Sequence, residues 1–507
     1  STFNIIYEPL VVYDPLDGGE PTYWLATGSQ YADDLLSVDF TLREGVLWSD
    51  GEAFTADDVV FTMGLLQENP ALDRNGLLAF VTGAEKVDDL TVKFTLNGVY
   101  SLADILIGGL RIVPEHVWAD VEDPVLFTNE NPVSTGPFTE VTQFSEQAFT
   151  ICRNPNYWQE GKPYVDCLQY PAINGNDAAN LALINGELDW VGNFVPDIES
   201  TFVARDPEHN HYWFAGNSPW VFVTNTTKAP FDDVNMRQAM ALAIDYDTIS
   251  QTAENGYTTV TPENAVGIWP RFQNVVPQSV LDKAAEMGLG TYDLDRANQI
   301  LDEAGYAMGS DNFRNMPDGT PIGAFNIQIV NGWTDVVTAA QIISQGLQDI
   351  GLDASVITPE FGEWQSNLQQ GTFDTSLAWS VWGATAWDFY HNIMDSTLID
   401  ENGVRSGQFM PGWTSPEADQ LLLDFLATAD TDARNAIVGQ LADIYVSNVL
   451  SSPLSPWPAW YEYSTLRFTG WPTEADPYAQ GSPWQADSAR IVAVNIHCID
   501  DTSCGQS

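Results

Sequence analysis

Val38 to Leu42 (VDFTL) alternates apolar and polar side chains with the two-residue period of a half-buried strand. Polar turns follow (REG, WSDG), and Thr55 then opens a run at Phe54 to Phe61 that reads as a helix start. Its hydroxyl can accept a first-turn amide, and Asp57 and Asp58 stand at the positive end of the helix dipole. Those two aspartates therefore have a structural role rather than a catalytic one. Lys86 to Leu96 predicts a strand pair turning at the adjacent aspartates, and Ala148 to Cys152 and Tyr164 to Tyr170 predict two more strands around the RNPNYW turn. Asp177 to Asn185 reads as a helix stopped by Gly186.

The middle of the chain is more helical. Val234 to Ile249 and Asp293 to Ala304 place apolar residues at helical spacing, the second closed by Gly305. Strand and helix patterns then alternate: strand Phe325 to Val330, helix Val336 to Ile350, strand Leu352 to Ile357, helix Phe361 to Gln370 and strand Phe373 to Ser380. That βαβαβ order predicts an α/β lobe with mixed sheets flanked by helices. Its loops Asn331 to Asp335 and Trp379 to Trp387 fall at strand carboxyl ends, where such sheets hold ligands.

With 507 residues the chain should divide into several lobes, and no run approaches the length of apolar residues that spans a bilayer. A net charge of −52 repels phosphate backbones and anionic lipid, so nucleic-acid and membrane-surface partners are not expected. The acidity suits a high-salt or acidic exterior, or serves solubility alone. The four cysteines allow three pairings. The two local ones, Cys152 with Cys167 and Cys498 with Cys504, close short loops at little entropic cost and predict an oxidising compartment. Four reduced thiols are the alternative. Neither pair has C-x-x-C spacing, so zinc is not expected.

Nucleophile elbows, phosphate-binding glycine loops and H-E-x-x-H are missing. His209 and His211 follow turn-like RDPE, which favours a surface loop over a metal pair, and DPLDGGE at Asp14 to Glu20 fits a calcium loop poorly. No cofactor or metal is expected. The chain does carry 18 tryptophans. Several stand in loop contexts: Trp333, Trp382 and Trp387 first, with Trp220, Trp364, Trp379 and Trp484 after them. An indole face can cover the C–H face of a pyranose while Asn217, Asn225, Asn331 and Asp388 orient its hydroxyls. A partly buried core anchor is the alternative for each tryptophan.

TLREGVLWSDGEAFTADDVVF (Thr41 to Phe61) resembles the extracellular solute-binding proteins of family 5, the oligopeptide, dipeptide, nickel and oligosaccharide receptors of ABC importers. YEPLVVYD at Tyr7, STGPF at Ser134, RNPNYWQEGKPYVD at Arg153, MRQAMALAIDYDTI at Met236 and DLDRANQILDEAGY at Asp293 match in family order. The resemblance implies a three-lobed periplasmic-binding-protein type II fold. Lobe I would comprise residues 1–35, 165–262 and 463–507, lobe II 36–164 and lobe III 263–462, with ligand enclosed between lobes I and III. NGWTDVVTAAQII at Asn331 and GWPTEADPYAQGSPW at Gly470 look most like the branch that binds cello-oligosaccharides and related β-glucans, although Val336 stands where that branch often has another aromatic.

The resemblance implies a non-enzymatic, monomeric receptor that delivers an oligosaccharide to a membrane permease, periplasmic or extracellular and lipid-anchored through a removed N-terminus. An oligopeptide receptor is the alternative, with Asp388 read as the acid that meets a peptide amino terminus. A secreted glycoside hydrolase is a further one, since acids and tryptophans also line such clefts.

Overall fold

The computed structural model describes residues 5–13, 16, 20–73, 76–258, 262–268, 272–380, 383–400, 402–405 and 411–500; the side chains of 217, 218, 262, 264, 273 and 486 are not described. β1 (Ala26–Tyr31) and β2 (Ser37–Leu42) lead into α1 (Ala56–Glu68), β3 (Val81–Asp88) and β4 (Thr91–Leu96), an antiparallel sheet of order β1-β2-β4-β3. The alternation read from VDFTL puts Val38 and Phe40 inward against Val92 and Phe94, none of them accessible to solvent. Thr55 caps α1 through a reciprocal box: its hydroxyl accepts from the Asp57 amide at 3.3 Å and the Asp58 carboxylate from the Thr55 amide at 2.9 Å. Asp58 also takes Trp48 Nε1 at 3.3 Å and the Glu115 amide at 3.0 Å, so its carboxylate is spent on packing.

β5 (Phe138–Phe144), β6 (Ala148–Arg153) and β7 (Cys167–Pro171) form an antiparallel sheet in that order. Cys152 lies directly opposite Cys167 and the two are joined by a disulfide. Cys498 is also disulfide-bonded, while Cys504 lies outside the described residues. After α2 (Asn176–Ile184) come the short strands β8 (Trp190–Val191) and β9 (Asn210–Tyr212), followed by β10 (Ala215–Thr224).

The helical pattern over Val234 to Ile249 does not give one helix. α3 (Val234–Leu242) stops because the Asp245 carboxylate takes the Thr248 amide and hydroxyl at 3.0 and 2.8 Å, starting a separate turn, and a π-helical turn Ile249–Ala253 follows. Next are α4 (Gln278–Met287) and α5 (Leu294–Glu303), the latter capped by Asp293 as its sequence suggests.

The expected βαβαβ unit is present as β11 (Phe325–Gln328), α6 (Thr334–Asp349), β12 (Ala354–Ile357), α7 (Phe361–Gln370) and β13 (Thr375–Trp379), with all three strands parallel. α8 (Ala386–Met394), α9 (Pro416–Ala427) and α10 (Thr431–Asn448) pack with α4 around Tyr390, Leu422, Leu441 and Tyr445. The chain returns through β14 (Ser452–Ala459) and β15 (Glu462–Ser464), then α11 (Ala486–Asn495).

The main sheet has the order β12-β11-β13-β10-β14, with β10 antiparallel to both neighbours. β10, from the second segment expected in lobe I, thus pairs with strands expected in lobe III. β14 carries Pro453, Pro456 and Pro458 and takes an edge, where a missing amide donor costs no ladder bond. β15 is the central strand of a second small sheet, β8-β15-β9.

Candidate ligand-binding site

Three aromatic residues are placed by the parallel strands of the main sheet. Trp333 follows the carboxyl end of β11, Phe361 that of β12, and Trp379 ends β13. Trp220 on β10 lies directly across the ladder from Trp379. Ring centroids of Trp333 stand 5.9 Å from Trp220, 5.8 Å from Trp379 and 6.0 Å from Phe361. Trp333 and Trp379 are half-buried, and Phe361 is 44% exposed, which leaves apolar ring faces at the end of the sheet. Asn331 is exposed on the same loop and donates to Glu360 Oε1 at 3.1 Å.

A polar row continues from this group. The Gly332 carbonyl accepts from the Asn176 amide at 3.0 Å, and Asn176 Nδ2 reaches Thr334 Oγ1 at 3.2 Å and Asp335 Oδ1 at 3.1 Å. The start of α2 therefore touches the start of α6. A Cβ on Gly332 would stand 3.0 Å from the Gly175 Cα, so this approach requires glycine on both sides. Asp335 is buried; burial pushes its pKa up to about 6 against the opposing pull of the first-turn amides, Asn176 and Trp457. Buried Glu254, hydrogen-bonded by Ser455 Oγ at 2.7 Å, is raised by burial and further by Asp335. One turn along α2, Asn180 Oδ1 accepts from Asn193 Nδ2 at 2.5 Å, and the Asn193 amide donates to Glu462 Oε2 at 3.3 Å.

The other tryptophans read as stacking platforms are placed elsewhere. Trp387 is buried among α8, α9 and α10, donates to the Leu422 carbonyl at 3.1 Å and stacks on His391 at 4.2 Å, so both ring faces and its N–H are committed. Trp364 is 1% exposed and donates to Ser376 Oγ at 3.1 Å, a core anchor beneath Trp333. Trp484 is 45% exposed and donates to the Gly192 carbonyl at 3.0 Å, near Glu462 rather than Trp333. Trp382 lies outside the described residues, and for Asn217 only the backbone, in β10, is described.

Two polar candidates are structural. Asn225 is fully buried, with Nδ2 on the Gly371 and Phe373 carbonyls and Oδ1 taken by Thr227 Oγ1 and Arg405. Asp388 caps its own helix, accepting the Thr385 amide at 3.0 Å and hydroxyl at 3.1 Å; burial raises its pKa against those bonds. One oxygen of its carboxylate, Oδ2, is thus taken by the start of α8. Sequence reading did not single out Phe361, nor Asn176, Asn193, Asp335 and Glu462 in the polar row. Only the placement of Phe361 one short loop after a strand could have pointed to it.

His209 and His211 both lie against Thr465 Oγ1, at 3.4 and 3.3 Å. Among the described residues no cluster of His, Cys, Asp and Glu could hold a metal ion, and no helix is long and apolar enough to cross a membrane.

A mixed α/β sheet with aromatic rings and buried polar groups meeting at its strand ends is the architecture of a cleft-type solute receptor. The chain belongs to the bacterial extracellular solute-binding proteins, family 5, whose middle-region profile matches residues 20–400. The di/tripeptide-binding protein 1 of Pseudomonas aeruginosa is 24% identical over 85% of this chain and 80% of its own length. The glutathione-binding protein GsiB of Salmonella typhimurium is 26% identical over 85% and 79%.

A periplasmic oligopeptide-binding protein of an oligopeptide ABC transporter from Thermotoga maritima, solved with mannohexaose bound, superposes with a TM-score of 0.88 at 27% identity, covering 98% of this chain and 93% of that one. The oligopeptide-binding protein AppA of Bacillus subtilis, solved with a nonapeptide, superposes at 0.79 with 20% identity, covering 98% and 94%, and shows the shared fold. The fold is the periplasmic-binding-protein type II fold, and the protein is a solute-binding receptor of the ABC-importer type.

Proposed function

We propose that this receptor takes a soluble oligosaccharide, of the cello-oligosaccharide or related β-glucan type, between lobes I and III and hands it to a membrane permease without chemical change. The observation that carries the reading is the group Trp333, Trp379 and Phe361 at the strand ends, backed by buried Trp220, with partly open ring faces suited to pyranose C–H surfaces. Asn331 beside it supplies a hydroxyl partner, and Trp484 offers a further exposed ring. The sugar-bound relative supports the same class of ligand.

The engagement of Asp388 Oδ2 in its helix cap speaks for the sugar reading over the peptide alternative. Export to the periplasm or cell exterior, attachment through a lipid and a monomeric state complete the reading.

Calorimetric titration with cellobiose through cellopentaose, xylo- and manno-oligosaccharides and a mixed peptide library tests it. Saturable heat with one or more sugars and none with peptides is the expected result, and the sugars should be recovered intact. Peptide binding without any sugar response overturns the reading.

A further inference from the structure

The chain passes from the small sheet β8-β15-β9 to the main sheet between β9 and β10, through Trp213 and Phe214, and returns between β14 and β15 through Trp460 and Tyr461. The two passages run side by side: the Trp213 amide donates to the Tyr461 carbonyl at 3.1 Å, and the Phe214 and Trp460 rings meet edge to face at 4.8 Å. Paired crossings of this kind let two lobes hinge. α2 is tied to the small sheet, through Asn180 and Asn193 to Glu462, while α6 packs on the main sheet through Val336, Ala339, Ala340 and Ile343. The contact of Gly175 and Asn176 with Gly332 and Asp335 therefore joins elements that belong to different sheets, and it parts if the hinge opens.

Asp335 lies under that contact, 4% exposed, with Oδ1 on Asn176 Nδ2 at 3.1 Å. The π-helical turn Ile249–Ala253 packs against the same helix and brings Glu254, whose carboxyl is fully buried. One Glu254 oxygen accepts from Ser455 Oγ at 2.7 Å, and the other has no hydrogen-bond partner among the described residues. β11, β12 and β14 beside them carry no titratable side chain, α2 adds only the exposed Asp177, and none of these elements carries a Lys, Arg or His. Two acids therefore share a buried region without a basic side chain from the elements around them. Burial is the largest influence on each: it lifts the Asp335 pKa to about 6, and it raises Glu254, which Asp335 raises further. Parting the lobes would take Gly175 and Asn176 off Asp335 and admit water, returning the carboxyl toward its ordinary value. The Asn176 bond favours the charged form and would be lost too, but it is a smaller influence than burial.

We propose that closure of the two lobes over a ligand takes up a proton from solvent at the Asp335 and Glu254 pair, so that the receptor holds its ligand more tightly as the pH falls and loosens as it rises. A closed form that binds a proton more strongly than the open form is in turn favoured by that proton, and ligand affinity follows because the ligand is held in the closed form. The inference rests on the proposed closure of lobes I and III over the ligand, but not on the ligand being a sugar.

Two measurements on the whole protein test it. Single-molecule energy transfer between dyes attached at Glu187→Cys and Gln345→Cys, exposed positions just after α2 and on α6, counts closed molecules without ligand. The ratio of closed to open molecules is expected to be about tenfold higher at pH 5 than at pH 8. Titration calorimetry with cellotetraose and with tetra-alanine should show the same factor in the affinity of whichever binds, and buffers of different ionisation heat should report about half a proton taken up per ligand at pH 6. Asp335→Asn keeps an acceptor for Asn176 and cannot ionise, so it should remove the pH dependence of both measurements. A ratio and an affinity that do not change with pH, or that are higher at pH 8, overturn the proposal while the oligosaccharide reading stands. Binding of tetra-alanine alone, tighter at pH 5, supports proton uptake and overturns the oligosaccharide reading. A pH dependence that survives both Asp335→Asn and Glu254→Gln overturns the assignment to this pair. The ligand-free count needs neither a ligand nor a change at the pair, so it decides the direction even if neither ligand binds or those variants do not fold.

Discussion

Trp379 and Trp387 stand eight positions apart in sequence and do different work because of what satisfies their rings. Trp379 ends a strand and keeps part of its surface open beside Trp333 and Phe361, while Trp387 has its N–H on Leu422 and its face on His391. Trp379→Ala should therefore weaken oligosaccharide binding by roughly 1 to 3 kcal/mol with little change in the cooperativity of unfolding. Trp387→Ala should instead cost about 3 to 5 kcal/mol of stability by leaving a cavity in the helical core. Paired calorimetric titration and urea unfolding of the two variants separate these outcomes; the reverse pattern would exchange their roles.

At the scale of the element, α6 begins with Trp333, Thr334 and Asp335, and its first turn carries a buried acid that sets a pH dependence. Its pKa of about 6 in the folded protein exceeds the ordinary value of 3.8, so the folded state binds more protons between those values. The unfolding free energy contributed by this group therefore falls as pH rises from about 4 to about 6, by on the order of 3 kcal/mol. Asp335→Asn removes that slope. Relative to the parent protein the variant should gain stability as pH goes from 4 to 7, measured by urea unfolding across the range. A constant difference between the two would show that Asp335 does not carry the titration. The neighbouring Glu254 is raised by burial and further by Asp335, so Asp335→Asn also changes its titration and the comparison reads the pair together.

At the scale of the whole molecule, α2 and α6 meet end to end through Gly175, Asn176, Gly332 and Asp335. In the proposed closure of lobe III on lobe I, this meeting of two glycines is a contact that the closed form would make and the open form would lose. Gly332 has φ of 82° and a Cβ there would stand 3.0 Å from the Gly175 Cα, so Gly332→Ala should push the two helix ends apart. Ligand affinity should fall about tenfold or more, and the radius of gyration by small-angle scattering with saturating ligand should stay above that of the parent protein. Unchanged affinity and an unchanged radius would show that the contact plays no part in closure.

The sequence by itself determined the local elements wherever a short-range rule suffices. VDFTL became β2 because its period matches a half-buried strand, Thr55 and Asp293 cap helices because their side chains reach amides a few residues ahead, and the βαβαβ order follows from patterns each a dozen residues long. Cys152 and Cys167 meet because the strands that carry them are neighbours in sequence. Family motifs extended that reading to the fold.

The tertiary structure decided what depends on partners far along the chain. β10 and β14 carry proline and a bulge that argue against a strand locally, and they pair only because the main sheet supplies one an inner position and the other an edge. Asp388 and Asn225 look like free ligand groups until their capping and buried hydrogen bonds are seen. Glu462 and Asn193, separated by 269 positions, meet only when β8 and β15 lie side by side. No spacing in one dimension encodes which acceptors a folded core leaves over, because that is set by where every donor of the neighbouring segments has already gone.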